Sequence, residues 1–259
     1  MRMVQATRYV TPLREGGSLP AIIEADDDGM YVIKFRGAGQ GPRVLVAELI
    51  AGEIGRALGL PIPEVVFVEL DGNLGRNEPD GEVQDLVEAS AGLNLALDYL
   101  PSALAFDAIG ARDIEPGLAS RVIWFDAYIT NVDRTARNTN MLLWHRRLWL
   151  IDHGAALYFH HTWSDYLARG EAPFVAIKDH VLLPAAIAIA DADAALRPLL
   201  TDALIDSVVA LIPAEWLVGE PGPAGAEERR AAYASYLRHR RDHADNFVQE
   251  AIRANAAQL

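Results

Sequence analysis

Asn131-Val-Asp133-Arg134-Thr-Ala-Arg-Asn138-Thr-Asn140 is a polar run set between two apolar ones. Before it, Leu118–Thr130 offers Val122, Ile123, Phe125, Ala127 and Ile129 for burial, which reads as a helix. After it, Met141–Trp144 and Leu148–Ile151 read as two short strands about the turn His145-Arg146-Arg147. The second strand runs straight into Asp152-His153-Gly154. An Asp with an Asn five residues later offers a base and a metal ligand from one loop. A hairpin then brings a second Asp to the same metal. Mg²⁺ prefers such oxygen ligands and keeps several waters. The order Asp133, Asn138, Asp152 therefore has the layout that phosphoryl transfer requires. Asp-x4-Asn alone occurs by chance, and a solvated polar loop with a turn-capping Asp is the plain alternative. The Ile-Asp-x-Gly string across a hairpin lifts the pattern above chance.

Phosphoryl transfer also needs a cation on the phosphates. Lys34, in Tyr31-Val-Ile-Lys34-Phe35, ends an apolar strand pattern, where burial without an anion is costly. The alternative is a packed stem with the ammonium in water. Val175-Ala-Ile-Lys178 copies the kinase V-A-I-K string but follows the metal-binding residues, the wrong order for that role. A carboxylate on the following helix should hold Lys34. A helical wheel puts Glu53 inside the apolar face and Glu48 nearly opposite it, which favours Glu53. Gly16, Gly17 and Ser18 could lie over nucleotide phosphates or form a hairpin turn. Gly37–Gly41 carries the same two readings. Asp98, Tyr99 and Leu100 end a strand where backbone groups could meet an adenine ring.

Outward from these residues, the first third is strand-rich. Arg8–Leu13, Leu19–Glu24 and Met30–Phe35 form an antiparallel meander, followed by a helix over Val44–Leu58 stopped by Gly59. Ile62–Leu70 and Asn94–Leu100 are further strands around a polar stretch, Asp71–Asp85. Beyond Leu100-Pro101 the chain is mostly helical. Val181–Ala190 and Pro198–Ile212 read as buried helices, Gly219–Gly225 as a connector. One final helix carries Tyr233, Tyr236, Leu237, Ala244, Phe247, Val248, Ala251 and Ile252. The expected fold is α+β, with a small β-rich lobe (residues 1–100) ahead of a larger helical lobe (residues 101–259) and a cleft between.

The composition removes whole classes of function. The 259 residues carry 23 Lys+Arg against 36 Asp+Glu, a formal charge of −13. That field repels nucleic acid and anionic membrane, so neither is an expected partner. With no cysteine there is no thiol catalysis and no zinc–thiolate site. No apolar run is long enough to span a bilayer, and the N-terminus lacks a signal-peptide core, so a cytoplasmic protein is expected. His145, His153, His160, His161 and His180 show no metal-ligand spacing. There is no G-x-S-x-G turn for Ser-His-Asp hydrolysis.

Several strings together resemble the HipA-like kinases and, more distantly, the phosphatidylinositol 3- and 4-kinases. They are Leu13-Arg-Glu-Gly-Gly-Ser-Leu-Pro20, Tyr31–Gly41, Ala47-Glu48 with Arg56-Ala-Leu-Gly-Leu-Pro61, Asn131-Val-Asp-Arg134 with Asn138 and Asn140, and Trp149–Gly154 running into Tyr158-Phe-His-His161. The resemblance spans about Leu13 to Trp216. It implies a two-lobed protein-kinase-like fold and an ATP- and Mg²⁺-dependent transfer to an alcohol group. It implies Asp133 as catalytic base, Asn138 and Asp152 as Mg²⁺ ligands and Lys34 on the phosphates. It ranks Glu48 above Glu53 as the partner of Lys34. Asn140 directly precedes the apolar strand, so it competes with Asn138 as ligand. The implied acceptor is a protein Ser or Thr, with a small molecule or lipid second. A nucleotide-binding pseudokinase is the rival class. The short chain leaves no room for the extra N-terminal region of toxin-type members, so a toxin role with a DNA-binding partner is not expected.

Overall fold

The computed structural model describes residues 1–13, 19–39, 41–219 and 222–258. β1 (Met3–Pro12), β2 (Ala21–Ala25) and β3 (Met30–Lys34) form the expected antiparallel meander, with Ala21 opposite Ile33 and Ile23 opposite Tyr31. α1 (Pro42–Ala57), β4 (Val65–Leu70), α2 (Gly81–Ala89) and β5 (Gly92–Asp98) follow. β5 pairs antiparallel with both β3 and β4, and β4 runs parallel to β1. The five strands close into a barrel in the order β1-β2-β3-β5-β4, which removes every sheet edge. β1 starts at Met3 rather than Arg8, because Met3–Gln5 pairs with Phe67–Glu69. Such distant pairing leaves no local signal.

α2 extends out of the stretch read as polar. Only Val83 and Val87, one turn apart, are buried, and they join the barrel's interior core. Asp80 caps it, accepting from the Glu82 N–H at 3.1 Å.

β6 (Leu104–Ala105), α3 (Pro116–Tyr128), β7 (Met141–Trp144) and β8 (Arg147–Leu150) come next, and β6-β7-β8 form a small second sheet. The hairpin register pairs Met141 with Leu150 and Trp144 with Arg147. The remainder is helical: α4 (Tyr166–Gly170), α5 (Ile189–Leu196), α6 (Asp202–Val209), α7 (Ala226–Asp242) and α8 (Ala244–Ala256).

Three helical expectations are corrected here. Val181–Ala190 is buried but irregular, with only a 3₁₀ turn at Leu183–Ala185, and α5 starts at Ile189. Pro184 lacks the N–H a helix interior needs. Pro198 sits in another 3₁₀ turn, and α6 starts only after Thr201, whose side chain accepts from the Leu204 N–H. The final helix breaks at His243, although the apolar stripe continues from Tyr233, Tyr236 and Leu237 to Phe247, Val248 and Ala251.

Two cores result. One fills the barrel with Val4, Ile23, Tyr31, Ile33, Val66, Val68 and Ala96. The larger one runs from α1 through α3 to α8. α1 is therefore buried on almost every side, from Leu45 to Gly52 without a break. A Cβ on Gly55 would lie 2.3 Å from Ile62 Cδ1 and 2.9 Å from Phe125 Cζ, so only glycine lets α1 approach both neighbours. Trp216 bonds Leu93 O at 3.2 Å and meets Phe67 edge-on, tying the barrel to the helical part.

Candidate active site

Strand alternation sends Tyr31 and Ile33 into the barrel and Lys34 to the opposite face, toward α1. There the Lys34 ammonium lies 2.5 Å from Asp152 Oδ1 and 3.4 Å from Glu48 Oε2. Burial alone would lower its pKa, but the Glu48 and Asp152 carboxylates outweigh that and raise it. Glu48 is fully buried. Burial pushes its carboxyl up, whereas Lys34 and His153 pull it down to about 2. The His153 N–H donates to Glu48 Oε2 at 2.9 Å, and the His153 ring lies 3.4 Å from Oε1. Glu53 pairs instead with Arg56 at 2.7 Å. The helical wheel misleads here because α1 is buried all round and has no single apolar face.

Asp152 follows β8 with φ at +55°, a backbone conformation that costs a non-glycine residue energy. Its side chain is 40% exposed while Oδ1 meets Lys34. A Cβ on Gly154 would lie 2.5 Å from Val44 Cγ1, so the glycine lets this loop close onto α1.

Asp133 lies in the loop after α3, half-buried. Its Oδ2 accepts from both Asn138 Nδ2 at 2.7 Å and Asn140 Nδ2 at 3.3 Å. Both candidate asparagines thus turn amide N–H groups to the same carboxylate.

Beneath this loop lies a network that sequence reading did not assemble. Asp126, buried in α3, accepts from Arg134 Nε at 2.6 Å, His180 Nε2 at 2.8 Å and Asn131 Nδ2 at 3.1 Å. The Leu182 N–H donates to His180 Nδ1 at 3.0 Å, so the proton of this ring is on Nε2. Burial raises the Asp126 carboxyl, but Arg134 and His180 more than reverse that and hold it far below the carboxylate range. Burial keeps His180 below its ordinary pKa despite Asp126. Arg134 also donates to the carbonyls of Asn140 and Ile151, binding both ends of the hairpin to α3. An Asp within the apolar run of α3 was the available signal. Nothing in the sequence links it to His180.

The remaining candidates are placed as follows. Gly16, Gly17 and Ser18 lie outside the described residues. Gly37 donates its N–H to Ser90 Oγ at 3.1 Å, and Ala38 and Gly41 bond within their own turn, so these groups are taken. A cavity of about 340 Å³ beside that turn is walled partly by Glu82 and Asp85 and holds none of Lys34, Asp133 or Asp152. The Asp98 N–H goes to Glu64 O at 2.8 Å and the Tyr99 N–H to Met30 O at 3.0 Å. An adenine at this strand end must use other groups than those two. Lys178 is exposed in the 3₁₀ turn Val175–Asp179. His160 is buried and its pKa is pushed down to about 3, by burial first and then by His161 and Arg43. It pairs with the Tyr233 hydroxyl at 2.9 Å, a structural role.

The donor set is oxygen-rich: two carboxylates, at Glu48 and Asp152, face one ammonium, and the Asp133 carboxylate in the loop before the hairpin accepts from two amides. That excess of negative charge fits a hard divalent cation. No described helix is long and apolar enough to cross a membrane.

Comparison with known proteins gives three findings. The family model described as HipA-like kinase matches residues 7–243. No curated protein matches the chain. The crystal structure of a Helicobacter pylori proinflammatory kinase, CtkA, is similar in fold, with a TM-score of 0.56 at 13% identity, over 97% of this chain and 98% of that one.

Proposed function

The chain belongs to the HipA-like kinase family, and from that premise we propose that it is an ATP- and Mg²⁺-dependent phosphotransferase with two lobes about the Lys34–Asp152 contact. The observation that carries this reading is the meeting of Lys34 from the barrel, Glu48 from α1 and Asp152 from the hairpin. Lys34, kept charged and fixed by Glu48, binds the phosphates. Asp152, with Asn138 or Asn140, would hold Mg²⁺, which when bound supplies charge neutralisation on the phosphates. Asp133 is positioned by the two amides and by its own N–H, which donates to Asn131 Oδ1 at 3.1 Å. It orients the acceptor hydroxyl and takes its proton as the oxygen attacks the γ-phosphorus, while the bond to the β-phosphate oxygen breaks. The acceptor is a protein Ser or Thr, a choice supported by family analogy alone.

Two substitutions test this. Asp133→Asn keeps the shape and removes the base, so it should leave Mg²⁺–ATP affinity nearly unchanged and lower transfer about 10²–10⁴-fold. Asp152→Asn should weaken both. The measurements are thermal-shift binding of Mg²⁺–ATP and phosphate transfer, including autophosphorylation, on both variants and the parent. Nucleotide binding without Asp133-dependent transfer would make the chain a binding module. No nucleotide binding in the parent would overturn the proposal altogether.

A further inference from the structure

We propose that Glu171, His239 and His243 form a second metal site, for a divalent transition-metal ion of the Zn²⁺ class, which clamps the corner between α7 and α8 to the loop after α4. Each of the three residues offers one ligand atom, and the three atoms lie within 4.8 Å of one another. His239 and His243 stand four residues apart at the end of α7, so both rings leave the same face, with centroids 4.2 Å apart. H-x3-H is a recurrent metal-ligand spacing. The five histidines from His145 to His180 lack such a spacing.

Both rings are already oriented. His243 Nδ1 donates to the His239 carbonyl at 2.8 Å, which fixes its tautomer and leaves the Nε2 lone pair for an ion. His239 Nε2 lies 2.9 Å from Glu171 Oε1. On metal binding this ring takes the Nδ1–H tautomer, and the ion replaces the proton between the two groups.

The third ligand has a fixed base as well. Asn246 Nδ2 donates to the Glu171 carbonyl at 2.8 Å. Buried Arg240 donates to the carbonyls of Gly170 at 2.9 Å and Ala172 at 2.8 Å. The backbone on both sides of Glu171 is therefore bound to α7 and α8, and the carboxylate needs only side-chain rotation to bind. The Arg240 guanidinium is turned onto main-chain carbonyls, including those of Ala127 and Tyr128, rather than occupying the site. Metal–ligand bonds of about 2.0–2.1 Å bring tetrahedral ligand atoms to about 3.3 Å apart, a closure that rotation of half-exposed side chains allows. Two imidazoles and one carboxylate suit Zn²⁺, Co²⁺ or Ni²⁺, whereas Mg²⁺ and Ca²⁺ prefer all-oxygen sets.

The test is Zn²⁺ titration by calorimetry of the chelator-stripped full chain, in the parent and in Glu171→Gln, His243→Ala, His145→Ala and Asp152→Asn. One equivalent should bind the parent with a micromolar dissociation constant. It should persist in Asp152→Asn, which separates it from the proposed phosphoryl-transfer site, and in the exposed control His145→Ala. It should weaken at least tenfold in Glu171→Gln and His243→Ala, and a large excess of Mg²⁺ should not compete. Should His243→Ala misfold by circular dichroism, the exposed Glu171→Gln decides alone. An absence of Zn²⁺ binding in the parent, binding indifferent to Glu171→Gln, or binding lost only in Asp152→Asn overturns the proposal.

Discussion

Two charged networks lie against the same loop, and they are completed differently. At Asp126 one carboxylate faces Arg134, His180 and Asn131, and its acceptor positions are filled from within the chain. At Lys34 one ammonium faces two carboxylates, Glu48 and Asp152. The first network is balanced and buried. The second has surplus negative charge, a 40% exposed Asp152 side chain and a strained backbone at that residue. Internal satisfaction stabilises a loop, whereas unmet charge at a partly open position fits ligand binding. The pair teaches that burial and charge alone do not mark a site. What separates them is whether the chain itself matches the charge: Arg134 balances Asp126, whereas Lys34 alone faces two carboxylates.

This contrast can be broken most decisively at Asp126. Asp126→Ala leaves Arg134 buried without its carboxylate and frees the His180 ring. Loss of one partner of a buried pair costs about 3–5 kcal/mol. Urea denaturation of the variant should show a loss of that order. A loss below about 1 kcal/mol, the scale of an exposed pair, would mean that the network is ornamental.

Glu48→Gln is expected to have an intermediate effect, about 1–3 kcal/mol at neutral pH, because a hydrogen-bond acceptor for the His153 N–H remains. Its pH dependence sharpens the comparison. The Glu48 carboxyl falls from an ordinary 4.5 to about 2, through Lys34 and His153 against the cost of burial. A depressed carboxylate contributes stability that is fully present above the unfolded pKa and is lost as the pH falls through the folded one. The parent should therefore lose stability as the pH drops from about 4.5 toward about 2, and the variant should lose less over that window. Equal slopes for the two proteins in acid denaturation would contradict the Lys34–Glu48 pairing.

Glu53→Ala should be nearly silent. Among the described residues Glu53 bonds Arg56 one turn away, and an i,i+3 ion pair of this kind contributes about 0.2–0.5 kcal/mol. A thermal melt that separates Glu53→Ala clearly from the parent would reverse the assignment of the two glutamates.

Much of this arrangement was legible in the sequence. The meander, the helix after it, the polar loop and the hairpin follow from local alternation, spacing and turn residues, and the structure contains all four. Residue type and order single out Lys34, Asp133, Asn138 and Asp152 as candidates, and the structure brings Lys34 to Asp152 and Asn138 to Asp133. The choice between Glu48 and Glu53 was not legible from the wheel, since a helix buried on all sides erases the periodicity the wheel reads. The buried run Val181–Ala190 misled in the same way: apolar residues report burial, and the backbone form depends on Pro184.

What the sequence determined by itself is the set of local elements and the residue types each one offers to a site, because propensity, capping and spacing act within a few residues. Closure of the barrel through β1 and β4, the joining of Asp126 to His180, and the meeting of Lys34 with Asp152 were decided only by the tertiary structure. Each depends on residues more than fifty positions apart, and no local preference specifies which distant partner will balance a buried charge or pair an open edge. The same reason hid His239 and His243. Their spacing was present in the chain, but Glu171, which makes the pair a possible metal site, reaches them only once α4 has packed against α7.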